Sequence, residues 1–257
     1  DATMLVLPSD QLIEHTDAFQ AMMRQGIALA QDGETLVTFG IQPTFPATGY
    51  GYVECGAPVA NGNGARHVAR FREKPDRATA EQFLAAGNFL WNSGIFVWQV
   101  KAIRRAMARA DQDLAAATEA MVAALQKPEG TVKKATFAQA PKKSIDFAVM
   151  EKADKVVVVP ATMRWDDVGS FPALGAVQAA DDAGNVAVLA GGASHVALEA
   201  HDNIVYAEGA RTVATFGVQG LVVVAVGDAV LVCPRDKAHD LKALVEQLRR
   251  SGRDDLL

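Results

Sequence analysis

Residues 155–170 read KVVVVPATMRWDDVGS. Four valines before a proline make a short, continuously apolar run, the pattern of a strand buried on both faces. Two adjacent carboxylates, Asp166 and Asp167, follow it, and then Gly169 and Ser170. Strands of this kind lie in sheets covered by helices, and such sheets take ligands in the crevice beyond the carboxyl ends of their strands. The stretch therefore predicts an α/β domain with polar chemistry at one edge of its sheet.

Working outward, "TMLVLP" predicts another buried strand, with Asp10 just beyond it. Further strands are expected at "TLVTFGI", "GYGYVEC", "ARHVARFRE" and "NFLWNSGIFVWQV". Helical spacing marks "HTDAFQAMMRQGIALAQ", capped by Thr16 or Asp17, and "DRATAEQFLAAG", ended by Gly87. It also predicts one long helix, "KAIRRAMARADQDLAAATEAMVAALQ", stopped by Pro128, and another over "SIDFAVMEKA", capped by Ser144. Alternating strands and helices predict a largely parallel sheet. After about Ala180 the pattern changes to short strands spaced by Gly, Asn and Asp, until "DKAHDLKALVEQLRR" restores a helix. That part reads as all-β, a stacked coil or a small barrel. A boundary between Gln178 and Asn185 divides the chain into residues 1–180 and 181–257.

The 257 residues are 50% hydrophobic with a net charge of −5. These values describe a globular protein with no basic footprint for nucleic acid. No apolar run approaches the ~20 residues of a membrane span. The longest, "LVVVAVGDAVLVCP", is interrupted by Gly227 and Asp228 and reads as a hairpin. Cys55 and Cys233 both sit in strand-like contexts, expected as thiols rather than a disulfide or metal pair, which favours the cytosol. His15, His67, His195, His201 and His239 lack metal-ligand spacing. The opening "DATMLVLPSDQ" enters a strand directly, so the expectation is a chain that begins inside a domain; the polar close "SGRDDLL" reads as a terminus.

Four polar constellations stand out. Asp10 and Asp166–Asp167 each follow a predicted strand. Converging carboxylates suit Mg²⁺, which takes hard oxygen ligands and shares itself with phosphates. An Asp between strand and helix also serves as a cap, and spacing admits both readings. "FREKPD" puts Glu73 and Lys74 at a strand end: a hydroxyl acceptor and a point charge for phosphate, or a surface ion pair before a proline turn. Gly49 and Gly51 flank Tyr50 where a ligand can approach the backbone. Asn92, Ser93 and Gly94 interrupt an apolar run, for a ligand or for a β-bulge.

In order along the chain, "VLPSDQLI", "GIQPTFPATGYGYVE", "FREKPD", "LWNSGIFVW", "SIDFAVMEKA" and "WDDVGSF" resemble the bacterial mannose-1-phosphate guanylyltransferases of the sugar-nucleotidyltransferase superfamily. The likeness covers nearly the whole chain, its β-rich tail included. It implies a Rossmann-like α/β domain with a mixed sheet, then a small β-helix-like domain with a C-terminal helix. It implies transfer of GMP from GTP to mannose-1-phosphate, assisted by Mg²⁺ or another divalent cation. By match to the motifs, Asp10 and Asp167 hold the metal, with Asp166 beside them. Lys74 neutralises the sugar phosphate, Glu73 and Asn92 hold sugar hydroxyls, and the Gly51 backbone lies against the sugar. Gly169 permits a tight turn beside the metal. Gln11 stands where the family usually has His. The resemblance further implies that the family's glycine-rich triphosphate loop and first strands lie outside this chain, leaving the catalytic domain N-terminally incomplete. Two alternatives remain at this level: a non-catalytic sugar-nucleotide-binding or regulatory subunit, and a transferase for another sugar-1-phosphate. The β-rich tail offers a surface for homodimerisation.

Overall fold

The computed structural model describes residues 2–128, 130–238 and 241–256, so His239 and the expected helix start at 239–240 lie outside the described residues. The chain forms two compact units, one of residues 1–9 and 13–164, the other of 10–12 and 165–257.

The first unit is built on six strands: β1 (Thr3–Val6), β2 (Leu36–Ile41), β3 (Tyr52–Pro58), β4 (Arg66–Arg72), β5 (Phe89–Gln99) and β6 (Val156–Pro160). Their order in the sheet is β1-β5-β2-β6-β4-β3, with β5 also meeting β3. β2 and β6 are parallel, whereas β1–β5, β2–β5, β3–β4, β3–β5 and β4–β6 are antiparallel. The sheet is therefore mixed, and the expectation of a largely parallel one is corrected. A helix between two strands permits a parallel crossover without imposing it, and a short loop folds β3 and β4 into an antiparallel pair.

β6 is buried between β2 and β4, as its valines predict. β1 is not: it lies at the sheet edge, and Met4, Leu5 and Leu7 are exposed. An apolar run shows that a strand forms but not how many neighbours it has. β1 is antiparallel to β5 and β5 to β2, so β1, β2 and β6 all run the same way. Their carboxyl ends share one edge of the sheet. The polar break in β5 is a bulge: Gly94 sits at φ +73°, the register against β2 shifts between Thr38 and Gly40, and Ser93 accepts from the Ile95 N–H at 3.2 Å.

Helix α1 (Thr16–Leu29) begins after His15, which takes φ +62° and makes no side-chain cap; Thr16 is already helical. α2 (Arg77–Ala86) is capped by Asp76, which accepts the Thr79 N–H at 2.8 Å. The expected long helix is two, α3 (Val100–Ala110) and α4 (Gln112–Leu125). Asp111 breaks it, accepting the Leu114 N–H at 3.1 Å and pairing with Lys143 at 2.7 Å. Helical spacing continues across such a cap unnoticed. "SIDFAVMEKA" forms a single π-helical turn, Asp146–Met150, with Ala148, Val149 and Met150 buried in the core.

The second unit contains β7 (Val186–Ala190), β8 (Ser194–Leu198), β9 (Ile204–Glu208), β10 (Thr212–Phe216), β11 (Leu221–Val226) and β12 (Ala229–Pro234), then α5 (Lys242–Arg250). β7, β9 and β11 stack in parallel with Val186, Ile204 and Val222 in register, a repeat of 18 residues per coil. β8 and β10 stack likewise, and β11–β12 is the expected hairpin. A β-helix results. Its corner is an asparagine ladder absent from the sequence-based expectations. The Asn203 N–H and Nδ2 donate to Asn185 Oδ1 at 3.1 and 3.0 Å, and Asn203 Oδ1 accepts the Leu221 N–H at 2.9 Å. Asn203 is fully buried. Asn203→Ala should therefore strand buried donors and acceptors and cost on the order of 2 kcal/mol, read as a lowered urea midpoint. An unchanged midpoint would show that water replaces the ladder.

Candidate active site

In the first unit the sequence-predicted residues Gly51, Glu73, Lys74 and Asn92 come together. β5 presents Asn92 beside the start of β3, its N–H donating to the Gly51 carbonyl at 2.8 Å. Its side chain spans two neighbours: Oδ1 accepts from the Thr38 hydroxyl at 2.9 Å, and Nδ2 donates to Asp146 Oδ1 at 3.1 Å. Glu73 leaves the end of β4, and its backbone N–H donates to Glu151 Oε1 at 3.0 Å. A Cβ on Gly51 would collide with Glu73 Oε2, so only glycine lets that carboxyl lie against the β3 backbone.

Lys74 takes φ +42°, a left-handed conformation that costs a non-glycine residue about 1 kcal/mol or more. Its ammonium lies 3.8 Å from Glu73 Oε1; the lysine side chain is 60% exposed and the glutamate 9%. The ammonium is thus outward at a corner whose carboxyl stays covered. Burial first, and then the charge of Asp146, push the Glu73 acid up to about 7; Lys74 opposes this and Glu151 adds to it. Burial also raises Asp146, against hydrogen bonds from its own backbone, Ser144 and Asn92.

Between its ordinary value of 4.5 and about 7, folded Glu73 thus holds a proton that the unfolded chain has lost. Its contribution to stability is complete below that ordinary value and is lost as pH rises through about 7. Glu73→Gln should therefore flatten the fall in melting temperature between pH 5 and 8. An equally steep profile in the variant would mean that another group titrates there.

The metal candidates lie in the second unit. The Trp165 indole N–H donates to Gln11 Oε1 at 2.8 Å, tying the segment that carries Asp10 to the one that carries Asp167. Asp166 accepts the Val168 N–H at 2.8 Å and so shapes the turn; Val168, β-branched, sits at φ +50°. Asp167 Oδ1 accepts the Gly169 N–H at 3.3 Å, and a Cβ on Gly169 would lie 2.8 Å from Asp167 Oδ2. Among the described residues no group of three or more His, Cys, Asp or Glu forms a metal cage. Two carboxylates on adjoining segments instead fit a hard cation that keeps its remaining positions for water and phosphate oxygens, as Mg²⁺ does.

Three residues of the first cluster were missed from sequence. Thr38 carried a signal, a hydroxyl inside the buried run "TLVTFGI". Asp146 and Glu151 lie inside a quoted motif, but α-helical spacing does not place them on one face.

The nucleotidyl transferase family profile matches residues 1–184, and a profile for the mannose-phosphate isomerase/GMP-like β-helix domain matches residues 193–248. The xanthan biosynthesis protein XanB of Xanthomonas campestris pv. campestris strain B100 is 41% identical, over 99% of this chain and 53% of that protein. A mannose-1-phosphate guanylyltransferase of Klebsiella pneumoniae is 38% identical, over 99% and 54%. The chain spans about half the length of the curated relatives it matches. A crystal structure of mannose-1-phosphate geranyltransferase from Thermus thermophilus superposes with a TM-score of 0.78 at 35% identity, covering 96% of this chain and 70% of that one.

Proposed function

This chain belongs to the nucleotidyl transferase family, and from that premise we propose that it serves the transfer of GMP from GTP to mannose-1-phosphate, giving GDP-mannose and pyrophosphate. One observation carries the choice of acceptor: a covered Glu73 carboxyl beside an outward Lys74 ammonium, flanked by Asn92 and the Gly51 backbone. That set suits a hydroxyl-bearing ring with a single anionic substituent. The name of the Klebsiella relative supports the same substrate pair, and that of XanB supports a use of the product in polysaccharide synthesis.

In this reading a phosphate oxygen of mannose-1-phosphate attacks the α-phosphorus of GTP. The new P–O bond forms as the bond to the departing pyrophosphate breaks. Lys74 holds the acceptor phosphate through charge-assisted hydrogen bonds. Glu73, about half protonated near pH 7, can accept from ring hydroxyls and in its acid form also donate to them, and Asn92 fixes a further one. The Gly51 backbone lets the ring approach closely. Asp10 and Asp167 would hold Mg²⁺ or another divalent cation, which when bound offsets the negative charge of the two reactants. Positioning and charge neutralisation thus supply most of the catalysis.

Residues 1–180 would carry the transfer and 181–257 the β-rich part. Leu198 and Phe216 are register partners on β8 and β10 and both are exposed, which supports a homodimer formed through that part. No helix among the described residues is long and apolar enough to cross a membrane. The free thiols of Cys55 and Cys233 and the nucleotide substrate support a cytoplasmic setting. Chromatography of products tests the specificity. GTP with mannose-1-phosphate should yield GDP-mannose at least about tenfold faster than UTP with glucose-1-phosphate yields UDP-glucose. The opposite preference would overturn the assignment.

A further inference from the structure

The π-helical turn Asp146–Met150 meets the sugar-phosphate cluster at two points. Asp146, its first residue, accepts from Asn92 Nδ2 at 3.1 Å. Glu151, just past its last, accepts the Glu73 backbone N–H at 3.0 Å. The two are joined directly, since the Glu151 N–H donates to the Asp146 carbonyl at 3.0 Å, the five-residue bond that defines a π turn. Ordinary α-helical winding turns residues five apart toward different faces. The wider turn returns both carboxylates to the face that meets β4 and β5, while Ala148, Val149 and Met150 anchor it in the core.

Nothing in the fold alone requires this arrangement. Both carboxylates oppose the charge on the covered Glu73 carboxyl, and Asp146 also feels the charge of Lys74, whose backbone is strained. Such strain persists where surrounding contacts over-determine it, and it gathers at ligand-binding positions.

We propose that this turn is a two-point clamp, in which Asp146 orients the Asn92 amide and Glu151 locks the Glu73–Lys74 corner, so that both are positioning residues for the sugar phosphate. The proposal rests on the sugar-phosphate reading above. The clamp acts through hydrogen bonds to one side chain and one backbone N–H, so isosteric neutral residues preserve its geometry. They remove its charge, however. Asp146, Lys74 and Glu151 are the charged groups that act on Glu73, and Asp146 raises its acid more than Glu151 does. Geometry and charge can therefore be separated.

The test is calorimetric titration of mannose-1-phosphate into the protein from pH 5.5 to 8.5. Asp146→Ala and Glu151→Ala should each weaken binding by about tenfold, the loss of one charge-assisted hydrogen bond. Asp146→Asn and Glu151→Gln should retain most of the affinity. In both, the pH midpoint of binding should move downward, further for Asp146→Asn. Alanine variants that bind as tightly as the parent would overturn the clamp. Should one alanine variant fail to fold, the affinity of the other decides: a tenfold loss supports the clamp and parent-like binding overturns it. Absence of binding by the unsubstituted protein would overturn the sugar-phosphate reading, and the clamp with it. That failure is told apart because it occurs before any substitution is made.

Discussion

Asp167→Asn is expected to reduce metal-dependent turnover by at least about a hundredfold while leaving the fold intact. A hard divalent cation held by two carboxylates loses half of its protein charge when one becomes a neutral amide. Removal of a single preorganised group at a reacting phosphate or oxyanion costs losses on the order of a hundred- to a thousandfold. The turn itself should survive. Asp167 Oδ1 accepts the Gly169 N–H, and an asparagine oxygen can do the same. Asp166, whose carboxylate serves the Val168 N–H, is a control at the neighbouring position: Asp166→Asn should cost far less turnover. Steady-state rates across a Mg²⁺ series, with thermal melts alongside, check both variants. Unchanged turnover in Asp167→Asn would remove Asp167 from the metal site.

The second large effect belongs to Lys74. Lys74→Ala should raise KM for mannose-1-phosphate by about ten- to a hundredfold, the worth of hydrogen bonds to a charged group. KM for GTP should stay within about twofold, as expected where only acceptor binding is lost. Stability should barely change, because alanine is as strained as lysine at φ +42° and the ion pair to Glu73 is long and exposed on the lysine side. Lys74→Gly separates backbone from charge: it relieves the strain and should stabilise the fold, yet it should lose the acceptor as alanine does. Equal rises in both KM values would mean that Lys74 is not the sugar-phosphate clamp.

What the sequence made legible follows from how local each signal is. Four β-branched residues in a row can hardly be anything but a strand, so "KVVVVP" placed β6 in the core at once. The change to short Gly- and Asn-spaced strands likewise announced an all-β part, but left a stacked coil and a small barrel both open. Strand direction was not legible, because it depends on which strands become neighbours; β5 returns antiparallel beside β2 although the helix α2 immediately precedes it. The exposed face of β1 was hidden for the same reason. Asp111 joined two helices into one apparent helix, since a capping side chain leaves the apolar period unbroken.

At the site, residue chemistry was readable where it was unusual for its context. Glu73 and Lys74 before a proline, and Asn92 inside an apolar strand, drew notice on their own. Asp146 and Glu151 did not, because their shared face exists only in a π turn. The asparagine ladder did leave a trace. Asn185 and Asn203 are separated by one coil of 18 residues, a period visible only once stacking is suspected.

The most direct measurement is pyrophosphate release by the whole protein with GTP, Mg²⁺ and mannose-1-phosphate, set against omission of each in turn. The expected result is release that needs all three components. Release that persists without mannose-1-phosphate, or no release with all three present, would contradict the assignment.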